Sequence, residues 1–260
     1  MELPVLTADC SRCFGLCCVL LPFSAAAGFG ADKPGGTPCT HLDTDDRCRI
    51  HATLREDGWP GCTVFDCFGA GQQVSQVTYG GISWREQDNL GEMAAVLSVM
   101  RQLHEMLAHL VEVDRRGPDG ASRALLADVG AWVDRPPEEL LGLDLDALRA
   151  RVGAGLAAAG ARLRAAHDGP DLAGADLAGR DLRARDLRGA HLRGALLIGA
   201  DLRGSDLTDA DLLGADVRDA DVRGADLATA LFLGQPQANA MRGDAATTLP
   251  DHLARPGSWT

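Results

Sequence analysis

Lysine is nearly absent from this chain: Lys33 stands alone against 24 arginines. Together with the abundant Ala and Gly, that bias reads as GC-rich coding. Aromatic residues are scarce too, eleven in 260 with a single tyrosine, few for a conventional large core. No apolar run approaches the ~20 residues that a membrane-spanning helix needs, so a membrane is not an expected partner. Neither a collagen period nor a sustained heptad repeat is present. Cysteine is missing from the last 193 residues; all eight lie between Cys10 and Cys67. Acidic residues outnumber basic ones 37 to 25, a net charge of −12. That balance favours solubility and argues against nucleic acid or anionic lipid as the main partner.

The segment Cys17–Ala27 (CCVLLPFSAAA) has a faint leader-like character. Glu2 and Asp9 stand where a basic flank belongs, Pro22 interrupts the apolar stretch, and Asp9 before Cys10 spoils a lipoprotein cleavage site. The expectation is therefore a cytoplasmic protein. In that compartment thiols stay reduced, and clustered cysteines point to metal binding or catalysis before disulfides.

From Pro170 to Gly234 the chain keeps a period of five through thirteen unbroken repeats (PDLAG ADLAG RDLRA RDLRG AHLRG ALLIG ADLRG SDLTD ADLLG ADVRD ADVRG ADLAT ALFLG). The central residue is Leu or Val in twelve and Phe232 in the last. Two residues earlier stands Ala, except at Pro170, Arg180, Arg185 and Ser205. Five matches neither a helical nor a strand period; it suits a chain that turns a corner once per repeat. Gly or Asp fits such corners, so the regular aspartates read as structural. The segment resembles the pentapeptide-repeat family. That resemblance implies a right-handed quadrilateral β-helix with four repeats per coil, here just over three coils and ~15 Å tall at the ~4.8 Å spacing of paired strands. It would stack Leu172, Leu192, Leu212 and Phe232 in one inner column, and it leaves two end coils to be covered.

The expected fold class is α+β and multidomain. Residues 1–85 form a Cys-rich module, 86–168 a helical connector and cap, 170–234 the β-helix, and 235–260 a tail that is partly disordered or draped over the last coil. Leu90, Met93, Leu97, Met100, His104, Leu107 and Val111 follow helical spacing, and the helix over Asp144–Ala166 is the expected lid on the first coil.

Cys10-x2-Cys13-x3-Cys17-Cys18, Cys39-x8-Cys48 and Cys62-x4-Cys67 set out candidate metal ligands. A Cys-x2-Cys turn aims two thiolates at one centre, and soft thiolates select zinc, copper(I) or an iron–sulfur cluster. Adjacent Cys17 and Cys18 do not comfortably hold one ion, so either two four-cysteine sites or one site with spares is open. CSRCFGLCC, PCTHLDTDDRCRIH and CTVFDC resemble the YkgJ-type clusters that chelate zinc or iron, with Pro60 displaced from the family pattern. The resemblance implies all eight cysteines as ligands and a zinc or iron–sulfur cofactor. His41 and His51 lie near the cluster and could replace a cysteine; a surface or supporting position is the preferred reading for both. His104 and His109 are five apart and share no helix face, so His104 is expected to be a core residue. Gly69-Ala70-Gly71 lacks the third glycine of a dinucleotide fingerprint, because position 74 is Val.

Leu196, Ile198, Leu213, Leu231 and Leu233 occupy outward repeat positions and form an apolar strip to be covered by the tail, by the helical segment or by a partner, for which they are the candidate binding residues. A homodimer through the last coil is the oligomer this geometry allows. The functional expectation is a non-enzymatic cytoplasmic protein with a metal-binding cysteine module joined to a protein-interaction scaffold. One alternative is a cluster-dependent protein-modifying enzyme, by similarity to a flagellin lysine methylase. The other is a topoisomerase-protecting DNA mimic. The repeats carry a net −4 (eight Arg against twelve Asp), whereas duplex DNA of ~15 Å carries about nine charges.

Overall fold

The computed structural model describes residues 3–259. The chain divides into two compact units, Met1–Leu156 and Ala157–Thr260, with the boundary inside a helix. The first unit opens with turns, 3-10 segments and a short helix α1 (Leu16–Leu20), and continues through α2 (Ala70–Gln72), which runs on as a π-helical stretch to Thr78. Helices α3 (Leu90–Arg116), α4 (Gly120–Gly130) and α5 (Pro137–Leu141) complete it. On α3, Met93, Met100, Leu103, Leu107 and Val113 are fully buried. Helix α6 (Leu145–Arg164) crosses into the second unit.

The second unit is the repeat stack. Parallel bridges join residues twenty apart: Asp171 to His191, Asp176 to Leu196, Asp181 to Asp201, Asp186 to Asp206, and onward to Leu231. Four five-residue repeats therefore make each coil. The contacts are isolated bridges, and no named strand occurs among the described residues. A coil side is too short to propagate a ladder, so the expected β-helix is built from one bridge per side. Leu192 N donates to Asp211 O at 3.0 Å, and Asp211 N donates to Ala190 O at 2.9 Å.

Corners carry positive φ. Glycine supplies most of them, as at Gly199 (φ 62°), while Ala184, Asp209 and Asp219 adopt the same conformation at φ 48°, 54° and 57°. Each repeat aspartate tightens its corner by accepting from the backbone N–H two residues on, as Asp211 Oδ1 does from Leu213 at 3.0 Å. The interior is Leu, Val and Ala: Leu192, Leu197, Leu202, Leu207, Leu212, Val217 and Val222 are all buried.

Three expectations change. Phe232 does not continue the inner column. It has φ 58°, and Leu233 joins the repeat core instead. An ideal Cβ built on Gly160 would lie 3.6 Å from the Phe232 ring and 2.7 Å from Asp211 Oδ2. Second, the C-terminal part of α6 runs along the side of the stack rather than over its end. It passes from Gly160, beside Asp211, to Arg164, which donates to Gly189 O at 3.2 Å. Leu172, Leu177 and Leu182 of the first coil stay partly exposed. Third, of the two readings of the tail the structure has the draped one and not the disordered one: residues 235–259 are an ordered cap. They contain α7 (Gln235–Ala240) and add bridges from Arg242 to Asp221 and from Thr248 to Asp226. Met241 and Trp259 enter the repeat core, and Trp259 Nε1 donates to Met241 O at 3.2 Å. The end assigned to a homodimer is thus covered by the chain itself.

Two substitutions test this architecture. Nothing lies within 4 Å of a Cβ on Gly199, so Gly199→Ala isolates backbone strain. A cost of about 1–2 kcal/mol is expected, and a thermal melt should shift down by several degrees. Asp211 is 1% exposed and its Oδ2 has no hydrogen-bond partner. Burial raises its pKa against the pull of Arg193 and Arg164. A raised carboxyl pKa favours folding below the unfolded value and loses that contribution as pH rises through the folded value. Asp211→Asn should therefore melt higher than the parent at pH 7, with the gap closing toward pH 3.

Candidate metal centre

Cys10, Cys13 and the Cys17–Cys18 pair lie on the opening turns and α1, and two groups of contacts settle where each thiol goes. Residues 9–14 dock on the segment that follows Cys67. Asp9 N donates to Gln72 Oε1 at 3.1 Å, Phe14 N to Ser75 Oγ at 3.0 Å, and Gln76 Nε2 to Arg12 O at 2.8 Å. A Cβ on Gly71 would sit 2.9 Å from Cys13 Sγ and 3.6 Å from Cys67 Sγ. The bare glycine backbone thus lies between those two sulfurs, and any side chain there would intrude. Cys13 N closes the Cys-x2-Cys turn on Cys10 O at 3.4 Å.

The other thiols gather around aromatic side chains. Cys39 N donates to Cys18 O at 2.9 Å, and Leu42 N donates to Cys39 O at 3.0 Å while Leu42 bridges Cys48. Cys39 packs with Phe23 and Trp59, and Cys18 and Cys62 border the same cluster. Phe23 stacks on Phe29 at 4.4 Å between centroids. The His41 ring meets Trp59 edge-on at 5.1 Å, and its backbone N–H points to Cys39 Sγ at 3.5 Å. His51 is exposed on a 3-10 turn. Both fit supporting roles.

All eight thiols are free. Most have raised pKa values, desolvation being the largest cause. Cys13 is pushed up to about 11 and Cys62 to about 12. Cys10 reaches about 12: although the residue is largely exposed, its sulfur is desolvated and crowded by Cys13, Cys67 and Cys18. Cys17 and Cys18 stand with sulfurs 3.9 Å apart. The contact with Cys18, then burial, raises the Cys17 pKa, while the same contact and the Lys33 ammonium lower that of Cys18. Backbone N–H groups aid the thiolate form at Cys13 (Leu16, Gly15), Cys48 (Ile50) and Cys67 (Gly71, Gly69). Among the described residues, no three His, Cys, Asp or Glu side chains converge tightly enough to close on an ion. The donor set still suits a soft cation, because desolvated, crowded thiols gain most as thiolates from added positive charge.

The composition hid one residue of this site in plain view. Lys33, the sole lysine, points its ammonium at four backbone carbonyls: Val19 (3.1 Å), Leu21 (2.7 Å), Pro34 (3.1 Å) and Thr37 (2.7 Å). It also lies 4.6 Å from the Phe23 ring centroid. Burial lowers its pKa while Cys39, Cys18 and Cys17 oppose the shift. A compact ammonium serves converging carbonyls where a planar guanidinium cannot. Asp46 closes the module's far side, accepting from Ser83 Oγ at 2.6 Å and Arg85 Nε at 2.7 Å.

Away from the thiols, His104 is buried and its Nδ1 lies 2.7 Å from Phe68 O, the core role expected for it. The apolar strip does not form one surface. Leu231 and Leu233 are buried, Ile198 and Leu213 are partly covered, and Leu196 alone is 43% exposed. The exposed sides of the coils carry Asp–Arg pairs. Arg183, Arg203 and Arg223 each pair with the aspartate two residues earlier at 2.6–2.7 Å, and Arg183 and Arg203 reach the next coil's aspartate at 3.6 and 3.9 Å.

Residues 186–230 match the family described as Pentapeptide repeats, in eight copies. The chain is 46% identical over 152 residues to "Uncharacterized protein YybG" of Bacillus subtilis (strain 168), an alignment covering 56% of this chain and 54% of that one. The chain thus spans about half the length of this curated relative. Two solved pentapeptide repeat proteins are also similar. Rfr23 from the cyanobacterium Cyanothece 51142 is 30% identical over 30% of this chain and 56% of its own, with a TM-score of 0.23. A protein of the Arabidopsis thaliana thylakoid lumen is 28% identical over 36% and 63%, with a TM-score of 0.18.

Lys33→Arg should be disruptive despite conserving charge. Charge-assisted hydrogen bonds contribute about 1.5–3 kcal/mol each, and the expected outcome is a markedly lower melting temperature for the first unit. Melting followed by tryptophan fluorescence checks it, since Trp59 lies in the affected cluster.

Proposed function

We propose that this is a metal-binding protein in which thiolate ligation folds the N-terminal cysteine module, and that its pentapeptide repeats form a rigid scaffold for a protein partner. The reading is non-enzymatic and cytoplasmic, with zinc or an iron–sulfur cluster as the cofactor. One observation carries it: eight free thiols collect within a region held together by few apolar side chains, with most of their pKa values driven up by desolvation. A bound cation reverses that penalty, and metal-binding energy then becomes folding energy.

The repeats support a docking role better than DNA imitation, because the Asp–Arg pairs neutralise the sides that would have to present continuous negative charge. Leu196 with neighbouring Ile198 is the exposed remainder of the apolar strip. The modifying-enzyme alternative gains no support from the coils, whose interiors are filled with Leu, Val and Ala side chains.

Metal analysis and an absorption spectrum, on full-length protein purified without oxygen, test the reading. Bound zinc without colour, or iron with charge-transfer absorption near about 400 nm, supports it; metal-free protein overturns it. Ligation must displace protons from the raised thiols. Zinc affinity should therefore fall as pH is lowered from 8 to 6, with proton release measurable on titration of the metal-free chain. A pH-independent affinity would contradict thiolate ligation.

A further inference from the structure

The eight cysteines are not one nest. We propose that, resting on the metal reading above, they form two separate four-thiolate centres divided between Cys17 and Cys18. Cys10, Cys13, Cys17 and Cys67 make one; Cys18, Cys39, Cys48 and Cys62 make the other.

Different parts of the chain build the two sets. The first assembles where residues 9–14 dock on residues 69–76 through Gln72, Ser75 and Gln76, with the Cys13 and Cys67 sulfurs flanking the bare Gly71 backbone. The second assembles around Phe23 and Trp59, where Cys39 binds the Cys18 carbonyl and the Leu42 bridge carries Cys48 alongside. Cys10 stays with Cys13 because the Cys13 amide closes their turn on the Cys10 carbonyl at 3.4 Å.

Adjacent cysteines then acquire a purpose. One residue pair at the head of α1 supplies a ligand to each centre, with the sulfurs 3.9 Å apart. The surroundings differ as well. The first centre is lined by backbone N–H donors and the Ser75 hydroxyl, groups that stabilise thiolate without net charge. The second has the Lys33 ammonium, held by four carbonyls, to offset the charge of a four-thiolate site. Each set has the four soft ligands that a closed tetrahedral site requires.

Zinc(II) on the anaerobically reduced full-length chain is the probe. Native mass spectrometry should show two zinc ions per chain. Cys67→Ser and Cys39→Ser should each retain one, and the double variant none. Cys17→Ser should behave as Cys67→Ser does, and Cys18→Ser as Cys39→Ser does. For the wild-type chain, alkylation mapped by peptide mass at rising zinc should protect the cysteines in these two groups of four. That readout stands even where a variant fails to fold. Protection of all eight together, a single ion, or loss of both ions from either single variant overturns the division while leaving metal binding intact. No zinc bound and no protection of any thiol would overturn the metal reading itself.

Discussion

The repeat stack depends on one registration: one residue on each side of a coil bridges to the residue twenty positions away. That register survives only if every side of the coil is five residues long and every corner turns the same way. The left-handed conformation at the corner follows, and with it the recurrent glycine. Where glycine is absent, aspartate or alanine is held at positive φ by the bridges on either side. The aspartate before each central leucine stabilises the same corner through its Asx-type hydrogen bond. A residue type that looks like surface charge is therefore fixed by backbone geometry, and the arginines that follow it offset its charge.

The cysteine module answers a different problem. Its apolar cluster is small, centred on Phe23, Cys39 and Trp59, and much of its backbone lies in short turns and 3-10 segments. Polar ties do the positioning: Lys33 to four carbonyls, Asp46 to Ser83 and Arg85, and Ser75 to the Phe14 amide. These bring the thiols into two neighbourhoods without closing either one. Such a scaffold has a direction to its remaining driving force. Deprotonation alone is disfavoured by desolvation, and a bound cation would supply the compensation, as the proposed metal reading requires.

The period of five, the corner glycines, the helical face of α3 and the core role of His104 were legible because each follows from local spacing. Phe232 was misassigned because the period continues through it in sequence while the backbone flips at that residue; only the contact with Gly160 shows why. The tail's capping role was only half legible, draping and disorder both being open. Its Pro, Gly and Thr content signals irregular chain, yet Met241 and Trp259 supply apolar anchors and residues 242 and 248 supply bridges. Lys33 was visible as a lone lysine among arginines, but its significance required seeing carbonyls converge from positions 19, 21, 34 and 37.

Cysteine spacing was legible as chemistry but not as pairing. A Cys-x2-Cys turn joins neighbours, whereas Cys67 reaches Cys13 through the docking of two distant segments, and Cys62 reaches Cys18 through an aromatic cluster. Long-range hydrogen bonds of this kind leave little trace in residue order, since Gln72, Ser75 and Gln76 look like ordinary polar helix residues. The same logic explains Gly71. Its φ is unremarkable, so no turn preference demands glycine there. Only the approach of two sulfurs does, and that constrains an otherwise replaceable helical position.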